Sequence, residues 1–550
     1  MTQDVKPSPS GNGGLLNLIE RVGNKLPDPA TLFIIGTVLV MVASAVVAGL
    51  GWTVPQRRPF PVVETITLAD GTTEERAKHD AEGNPVVEWR EVGEPLAAKS
   101  LLSREGVFWI FESMVRNFTT FPPLGIVLVG MLGIGVAERT GLIAALLKGF
   151  MLIVPGALLT PAMVFVGIMS SLATDAGYVV LPPLAAALYK AVGRSPLAGI
   201  AAVFAGVAAG FNANLLITSL DPLLAGLTTQ GAQVVDPDFA LNPACNWSFM
   251  VVSTFVITLA GWFVTAVFVE RRLNAKSPED GGPLPPTEAD LVAQRLTPQD
   301  IKGMIWAAIT FGVGFGLFLV MILIPDGPLH GQGVRFARWA EAIVPMIFLL
   351  FMLPGLAFGM AMGTIRNDKD LAKLFVDSMA GMAPIIVLAF FAGQFIKHFD
   401  YSGLDKMLAM WGGQMLGEAQ MPAWMLIVAF ILVTLIFNLF VGSMSAKWTI
   451  FAPIFVPMFM MVGLHPALTQ AAYRIGDSVT NIITPLNAYL IIILVYMQKF
   501  VPRSGMGTLI STMLPYSVVF AVVWTILLVL WMAMGIPLGP GGELVYAPAM

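Results

Sequence analysis

The chain has 550 residues, of which 56% are hydrophobic and only 12% charged, with a mean hydropathy of +0.78. A soluble protein carries about a quarter charged residues, so this composition excludes a surface that faces mainly water. The net charge of −4 excludes the basic surface of a nucleic-acid binder, and the single cysteine, Cys245, excludes an intrachain disulfide framework. We therefore expect an all-α polytopic membrane protein. Its polar residues 1–25 lack the apolar core of a cleavable signal peptide.

Apolar stretches of about 20 residues, the length needed to cross a bilayer as a helix, recur along the chain. The first lies at 26–52 and is followed by a polar segment at 53–105. Further membrane helices are predicted at 121–138, 197–228, 247–269, 303–324, 340–362, 374–396, 466–496 and 508–535.

Two other apolar blocks, 155–190 and 423–461, are interrupted in the middle by small polar and charged residues. Unpaired backbone cannot face lipid, so such breaks indicate segments that turn back inside the protein. We expect re-entrant hairpins near 157–191 and 423–461, which leaves about nine full crossings.

Basic loops predict the orientation. With both hairpins re-entrant, these loops fall on one face, which the positive-inside rule assigns to the cytoplasm: Arg139 and Lys148; Lys190 and Arg194; Arg271, Arg272 and Lys276; Arg366, Lys369 and Lys373; Lys499 and Arg503. The hairpin mouths then face opposite sides, which is an inverted topology. The predicted order is a cytoplasmic N-terminus (1–25), a first membrane helix (26–52), an extracytoplasmic polar segment (53–105), a first inverted repeat (106–270), a cytoplasmic linker (271–302), a second half (303–535) and an extracytoplasmic tail (536–550).

An internal repeat supports the inversion. Residues 209–224 align with 475–490 at a constant offset of 266, and residues 170–182 resemble 441–453, each ending in proline. The identical pairs in the first alignment are Gly210/Gly476, Ile217/Ile483, Thr218/Thr484, Leu220/Leu486 and Leu224/Leu490. Each half is therefore predicted to hold a hairpin with a hydroxyl-rich tip, followed by a helix broken near Gly, Asn and Thr. Matching breaks in inverted halves indicate the binding site of a secondary transporter.

Few charges lie within the membrane, and an ionisable side chain there is a candidate functional group. Those in or beside the breaks are Asp175, Asp221, Lys447, Arg474 and Asp477. Arg474 and Asp477 are three residues apart on one helical face and could form a structural ion pair. Alternatively, Arg474 anchors a substrate carboxylate, which its planar guanidinium matches, and Asp477 is a proton or cation site.

The other candidates also allow two interpretations. Asp221 is either a cap of the following helix or a protonatable coupling group. Lys447 either balances a nearby acid or contacts substrate, and Trp448 is either a packing residue or a stacking platform. Asn438 and Asn481 either coordinate sodium or satisfy broken backbone.

At these residues the chain resembles a known family. The runs SSLATDAGYVVLPPLAAALY, GFNANLLITSLDPLLAG, NLFVGSMSAKW and YRIGDSVTNIITPLNAY are similar to those of the AbgT family of p-aminobenzoyl-glutamate transporters, and the resemblance extends from about residue 15 to 535. It implies a homodimer in the bacterial inner membrane, with nine membrane helices and two opposed hairpins in each subunit. It also implies uptake of p-aminobenzoyl-glutamate or export of sulfonamide antimetabolites, driven by protons or, alternatively, by sodium.

The resemblance further implies which residues form the site. The positions that match the family motifs are Asp221, Ser445, Trp448, Pro466, Arg474, Asp477 and Pro485, with Asn438 as a sodium ligand. Asp175, at the first hairpin tip, is added from its position alone. In the resulting hypothesis Arg474 and the hairpin tips bind the substrate's acidic group, and Trp448 stacks on its ring. No organic cofactor or nucleic acid is expected, and sodium is the one candidate ion.

Other classes fit less well. The histidines His79, His330, His398 and His465 are scattered and no H-E-x-x-H motif occurs, so an enzyme is not expected. The sequence also has no glycine-rich loop ending in Gly-Lys-Ser or Gly-Lys-Thr, which an ATP-driven pump would need. The main alternative is an ion or solute channel, which would share buried charges and breaks but would conduct without coupling.

Overall fold

The computed structural model describes residues 29–67, 73–78, 86–173, 176–218, 220–285, 296–331, 338–484, 487 and 489–548. Its helices are α1 (Pro29–Leu50), α2 (Arg104–Thr119), α3 (Pro122–Arg139), α4 (Leu142–Ile153), α5 (Leu159–Met169), α6 (Ala176–Ala191), α7 (Pro196–Ala209), α8 (Leu220–Ala232), α9 (Trp247–Asn274), α10 (Pro298–Leu323), α11 (Arg338–Glu341), α12 (Ile343–Met362), α13 (Asp368–Gly381), α14 (Ala383–Ser402), α15 (Leu404–Glu418), α16 (Ala423–Asn438), α17 (Met444–Met461), α18 (Pro466–Val479), α19 (Tyr489–Gln498) and α20 (Met506–Met534).

The predicted class, an all-α polytopic membrane protein, is confirmed. Within the described ranges, six helices are long and apolar enough to cross a membrane: α1, α9, α10, α12, α17 and α20. The predicted span at 374–396 is wrong in its bounds, because α13 ends at Gly381 and α14 begins at Ala383 with a proline in its first turn. A proline is tolerated there but interrupts a continuous helix, which explains the division.

The predicted repeat is present as matching elements. In each half a helical hairpin, α5–α6 or α16–α17, is followed by a helix that stops and resumes, α7–α8 or α18–α19. Helices α7 and α18 both begin at a proline and are both 14 residues long.

The alignment of residues 209–224 with 475–490 differs by about one helical turn from the alignment of the helix starts. Pro196 and Pro466 start equivalent helices 270 positions apart, whereas the identities in sequence align at 266. Gly210 accordingly follows the end of α7, but Gly476 lies within α18. Apolar and small residues are common in both segments, so identities recur in more than one register.

In each half, the helix that follows the break packs on the hairpin of the other half. The second arm of the first broken helix, α8, packs on α17 of the second hairpin, and α19 packs on α6 of the first. At the first contact Gly231 allows close approach, since a Cβ there would lie 2.4 Å from the carbonyl oxygen of Ala452. At the second contact Tyr178 and Tyr489 stack with ring centroids 4.0 Å apart. Each break is therefore enclosed by both halves.

The polar segment 53–105 contains strands that the sequence reasoning missed. β1 (Thr53–Val54) pairs with β6 (Leu96–Ala97), β2 (Arg57–Pro61) with β5 (Val87–Glu91), and β3 (Val63–Thr67) with β4 (Thr73–Ala77), all antiparallel. The nested pairs form one long two-stranded arm. The β-branched residues of VETIT, which are enriched in strands, were the available signal.

The residues that follow α20 cross the start of α18. Leu464 and Val545 form an antiparallel bridge, and the backbone N–H of His465 donates to the oxygen of Leu544 at 3.0 Å. The hydroxyl of Tyr546 donates to Asp236 at 2.8 Å. This tail fixes the loop from which α18 begins.

Candidate functional site

Helix α18 lies at the centre of the candidate site. Every residue from Pro466 to Val479 is buried, although the helix carries an arginine and an aspartate. His465 caps its first turn, because its Nδ1 accepts from the N–H of Ala467 at 3.2 Å. The close packing that holds α18 against α16 depends on Gly476, where a Cβ would lie 2.6 Å from Thr434 Cβ.

The first buried ion pair joins the two halves. Arg474 Nη2 lies 2.5 Å from Asp221 Oδ1, in the first turn of α8. Asp221 Oδ2 also accepts from the backbone N–H and the hydroxyl of Thr218, at 2.6 and 2.8 Å. Asp221 thus caps the backbone at the first break through Thr218. It also neutralises the charge of Arg474.

The second buried ion pair lies within the second half. Lys447 Nζ, near the start of α17, is 2.6 Å from Asp477 Oδ1, and both side chains are 1% exposed. The hydroxyl of Tyr473 donates to the same carboxylate at 3.2 Å. The predicted Arg474–Asp477 pair is therefore wrong. The two residues share a helix, but each reaches a partner from a different element.

Asn438, at the end of α16, links the second hairpin to α18. Its Nδ2 lies within hydrogen-bond distance of Asp477 O (2.5 Å), Thr480 Oγ1 (2.8 Å) and Asn481 Oδ1 (2.8 Å). Its Oδ1 accepts from the ammonium of Lys447. The predicted sodium-ligand role does not fit this conformation, because a positive charge of the chain already occupies the side-chain oxygen.

Trp448 has no surface left for a ligand ring in this conformation. Its side chain is fully buried, it stacks on Tyr473 with centroids 4.3 Å apart, and its Nε1 donates to Thr228 Oγ1 at 2.9 Å. It therefore joins the second hairpin to α8, which is the packing interpretation. Ser445 is half-buried near the hairpin tip, with its Oγ 3.4 Å from Ser443 Oγ.

The remaining predicted site residues are placed as follows. Pro466 is the first residue of α18, next to the tail and away from both ion pairs along the helix. Asp175 and Pro485 lie outside the described residues. The structure thus brings together Asp221, Asn438, Arg474 and Asp477 around α18.

Uncharged side chains that sequence reasoning missed complete the network. Gln470 Oε1 accepts from Thr228, and its Nε2 donates to Asn246 at 2.8 Å. Asn212 Nδ2 donates to Ser478 Oγ at 2.7 Å. Gln470 lies on the polar face that also carries Arg474 and Asp477, so the three-to-four-residue spacing was a usable signal.

A narrow cleft reaches the first ion pair. Its empty space is about 310 Å³, including space open to the surroundings, and its lining includes Asn212, Asn214, Asp221 and Arg474, together with the half-exposed ring of Trp247. Among the described residues, Arg474 Nε and Asn212 Oδ1 have no hydrogen-bond partner although both are buried. Since buried polar atoms are normally paired, this cleft is the part of the network with capacity for a ligand.

Two hairpins, two broken helices and buried charges at the breaks define a secondary transporter architecture. The family model described as "AbgT putative transporter family" matches residues 14–546, and the chain belongs to this family. The predicted resemblance is thereby confirmed, and with it a multi-pass membrane transporter rather than an enzyme.

The comparisons also identify similar proteins. The chain is 34% identical over 544 residues to the p-aminobenzoyl-glutamate transport protein of Escherichia coli K12, covering 98% of this chain and 99% of that protein. Two solved structures are similar. The YdaH transporter of Alcanivorax borkumensis, whose topology is described as unusual, has a TM-score of 0.79 and 36% identity, covering 94% of this chain and 100% of that one. MtrF of Neisseria gonorrhoeae, described as illuminating a class of antimetabolite efflux pumps, has a TM-score of 0.83 and 40% identity, covering 96% and 100%.

Proposed function

We propose that the protein transports p-aminobenzoyl-glutamate, sulfonamide antimetabolites or both, using the proton gradient across the bacterial inner membrane. The observation that carries the proposal is the Arg474–Asp221 pair, which lies in a cleft and joins the two halves of the molecule. The substrate class is supported by the names of the E. coli and N. gonorrhoeae relatives.

Arg474 provides the anchor for an acidic substrate. Its guanidinium offers a fork of donors that matches a carboxylate, its side chain lines the cleft, and its Nε has no hydrogen-bond partner among the described residues. A substrate carboxylate and Asp221 compete for the same guanidinium. Protonation of Asp221 removes this competition, so a proton on Asp221 and an anion on Arg474 are favoured together.

The contacts of Lys447 at the second break favour protons rather than sodium as the driving ion. The Lys447 ammonium already neutralises Asp477 and occupies the side-chain oxygen of Asn438. No step is therefore assigned to sodium. Export of a sulfonamide is the second candidate function, favoured by the 40% identity to a member of the antimetabolite efflux class.

The proposed arrangement in the cell is a homodimer, as the family resemblance implies. Its N-terminus is proposed to be cytoplasmic, because the basic loops fall on one predicted face. Cross-linking in native membranes tests the dimer. Accessibility of single cysteines introduced at Lys369 and at Arg57 tests the orientation, since these positions are predicted to lie on opposite faces.

The function is tested by flux in proteoliposomes. Labelled p-aminobenzoyl-glutamate and a labelled sulfonamide are followed under a proton gradient and, separately, under a sodium gradient. We expect accumulation against the substrate gradient with protons and no response to sodium. Currents without coupled accumulation would instead indicate the channel alternative, and drive by sodium alone would overturn the proton assignment.

A further inference from the structure

A second cleft, away from the two ion pairs, lies between the end of α9 and the start of α20. It encloses about 570 Å³, including space open to the surroundings. One side carries the cations of Arg272 and Lys276, and the other carries the hydroxyl groups of Thr508, Ser511 and Thr512. Cations facing hydroxyl donors form an environment suited to an oxyanion.

The two cations are available to a ligand. Arg272 is exposed and Lys276 half-buried, and within the described ranges neither has an acidic partner within 4.0 Å. Arg272 Nη1 donates to the backbone oxygen of Ser511 at 3.4 Å. The adjacent acid, Glu270, pairs instead with Arg194 at 2.7 Å. In the part of the chain that the structure describes, the positive charge of this cleft is therefore not paired with an acid.

The cleft continues into a surface that faces lipid. Both α9 and α20 are long and apolar enough to span the membrane, and the two helices pack together. Phe268, Val269 and Leu273 of α9 and Pro515 of α20 also line the cleft, and the ring of Phe268 is exposed. The cleft therefore has apolar walls beside its charged end, at the ends of two helices that span the membrane.

We propose that this cleft binds an anionic phospholipid. The phosphate lies between Arg272 and Lys276 and accepts a hydrogen bond from Thr508, while an acyl chain starts along the apolar walls of Phe268, Val269 and Pro515. Basic pockets between membrane helices on the cytoplasmic side bind anionic headgroups in this way. Free phosphate satisfies only the charged end, so the apolar walls of the cleft favour a lipid. The cleft is also lined by Leu197, in the first turn of α7, so the bound lipid contacts the first broken helix.

Thermal unfolding of the purified full chain in detergent tests the proposal. Phosphatidylglycerol, phosphatidylcholine with the same acyl chains, and inorganic phosphate are added separately at matched ionic strength. We expect the wild-type midpoint to rise saturably with phosphatidylglycerol alone. An equal rise with phosphatidylcholine, or an equal rise with inorganic phosphate, would overturn the lipid assignment without need of any variant.

A matched pair of variants locates the site. Arg272→Gln/Lys276→Gln removes both cations of the cleft, and Lys369→Gln/Lys373→Gln removes two exposed cations at the same four-residue spacing on α13. We expect the half-saturating phosphatidylglycerol concentration to rise at least about tenfold in the first variant and to stay unchanged in the second. Equal losses in both would show a general charge effect and would overturn the site, as would wild-type binding by the first variant.

Discussion

The first helix break, where Asp221 lies, and the second, beside Asp477, are formed by matching elements but hold their charges differently. Asp221 has its cation, Arg474, in the other half of the molecule, and the pair borders an open cleft. Asp477 has its cation, Lys447, on the hairpin of its own half, and both side chains are almost fully buried. A repeat therefore fixes where backbone is interrupted, but not which half supplies the charge.

The difference separates the tasks of the two pairs. Alternating access moves one part of an inverted repeat against another around the site. Such a movement changes the Arg474–Asp221 distance, because its partners belong to different halves. It leaves the Lys447–Asp477 pair within one half. We therefore expect the first pair to respond to transport and the second to maintain the neutrality of a buried helix.

Removing one partner of the second pair should have the largest effect. Lys447→Met leaves the Asp477 carboxylate buried without a counter-charge, which costs about 3–5 kcal/mol. The double variant Lys447→Met/Asp477→Leu removes both charges and should recover most of the lost stability. Thermal unfolding in detergent measures both. A single variant as stable as the wild type would show that Lys447 is not the partner on which Asp477 depends.

Displacing α18 should disturb both pairs together. Gly476→Ala places a methyl group 2.6 Å from Thr434 Cβ, and the resulting overpacking costs about 1–3 kcal/mol. Gly312→Ala on α10 is the control, since a Cβ there meets nothing within 4 Å. The control should be neutral or slightly stabilising, because alanine favours helix over glycine. Equal midpoints for the two variants would contradict the close packing of α18 on α16.

Neutralising Asp221 should uncouple substrate binding from pH. In the wild type, a proton taken up together with p-aminobenzoyl-glutamate makes the apparent Kd weaken by up to about tenfold for each unit by which the pH rises. Asp221→Asn mimics the protonated acid and should bind with nearly constant affinity between pH 6 and 8. Equilibrium binding of labelled substrate measures this. Asp400→Asn, at an exposed acid, is the control and should keep the wild-type dependence.

The smallest effect should come from the loop that precedes α18. Burial lowers the pKa of His465 to about 4 from the ordinary value of 6.5. At neutral pH its contact with Glu543 at 3.5 Å is therefore not an ion pair, and its Nδ1 stays free to cap α18. As pH falls below 6.5, His465 binds a proton in the unfolded chain but not in the folded chain, so the free energy of unfolding declines until about pH 4. His465→Asn, measured by the same thermal unfolding, should lose this part of the pH dependence; an unchanged profile would exclude His465 as its source.

Hydropathy predicted much of the fold, because lipid selects long apolar segments and excludes unpaired backbone. The hairpins at 157–191 and 423–461 follow from that rule, and so do the broken helices after them. The partners of the charges could not be predicted in this way. Their spacing along one helix suggested that Arg474 pairs with Asp477. The ion pairs are instead decided by the short distances to Asp221 and Lys447, which belong to other elements. The choice depends on how hairpins pack across the break, and no local pattern records it.

Asn438 has a further consequence for motion. Its amide nitrogen has two hydrogens but lies near three acceptors, on Asp477, Thr480 and Asn481. At any moment one acceptor must go without this donor, so the amide can exchange one acceptor for another without losing a bond. The junction between the second hairpin and α18 therefore has more than one possible hydrogen-bond pattern. A small change in the position of α18 against α16 can alter which acceptor Asn438 uses without leaving its amide unpaired.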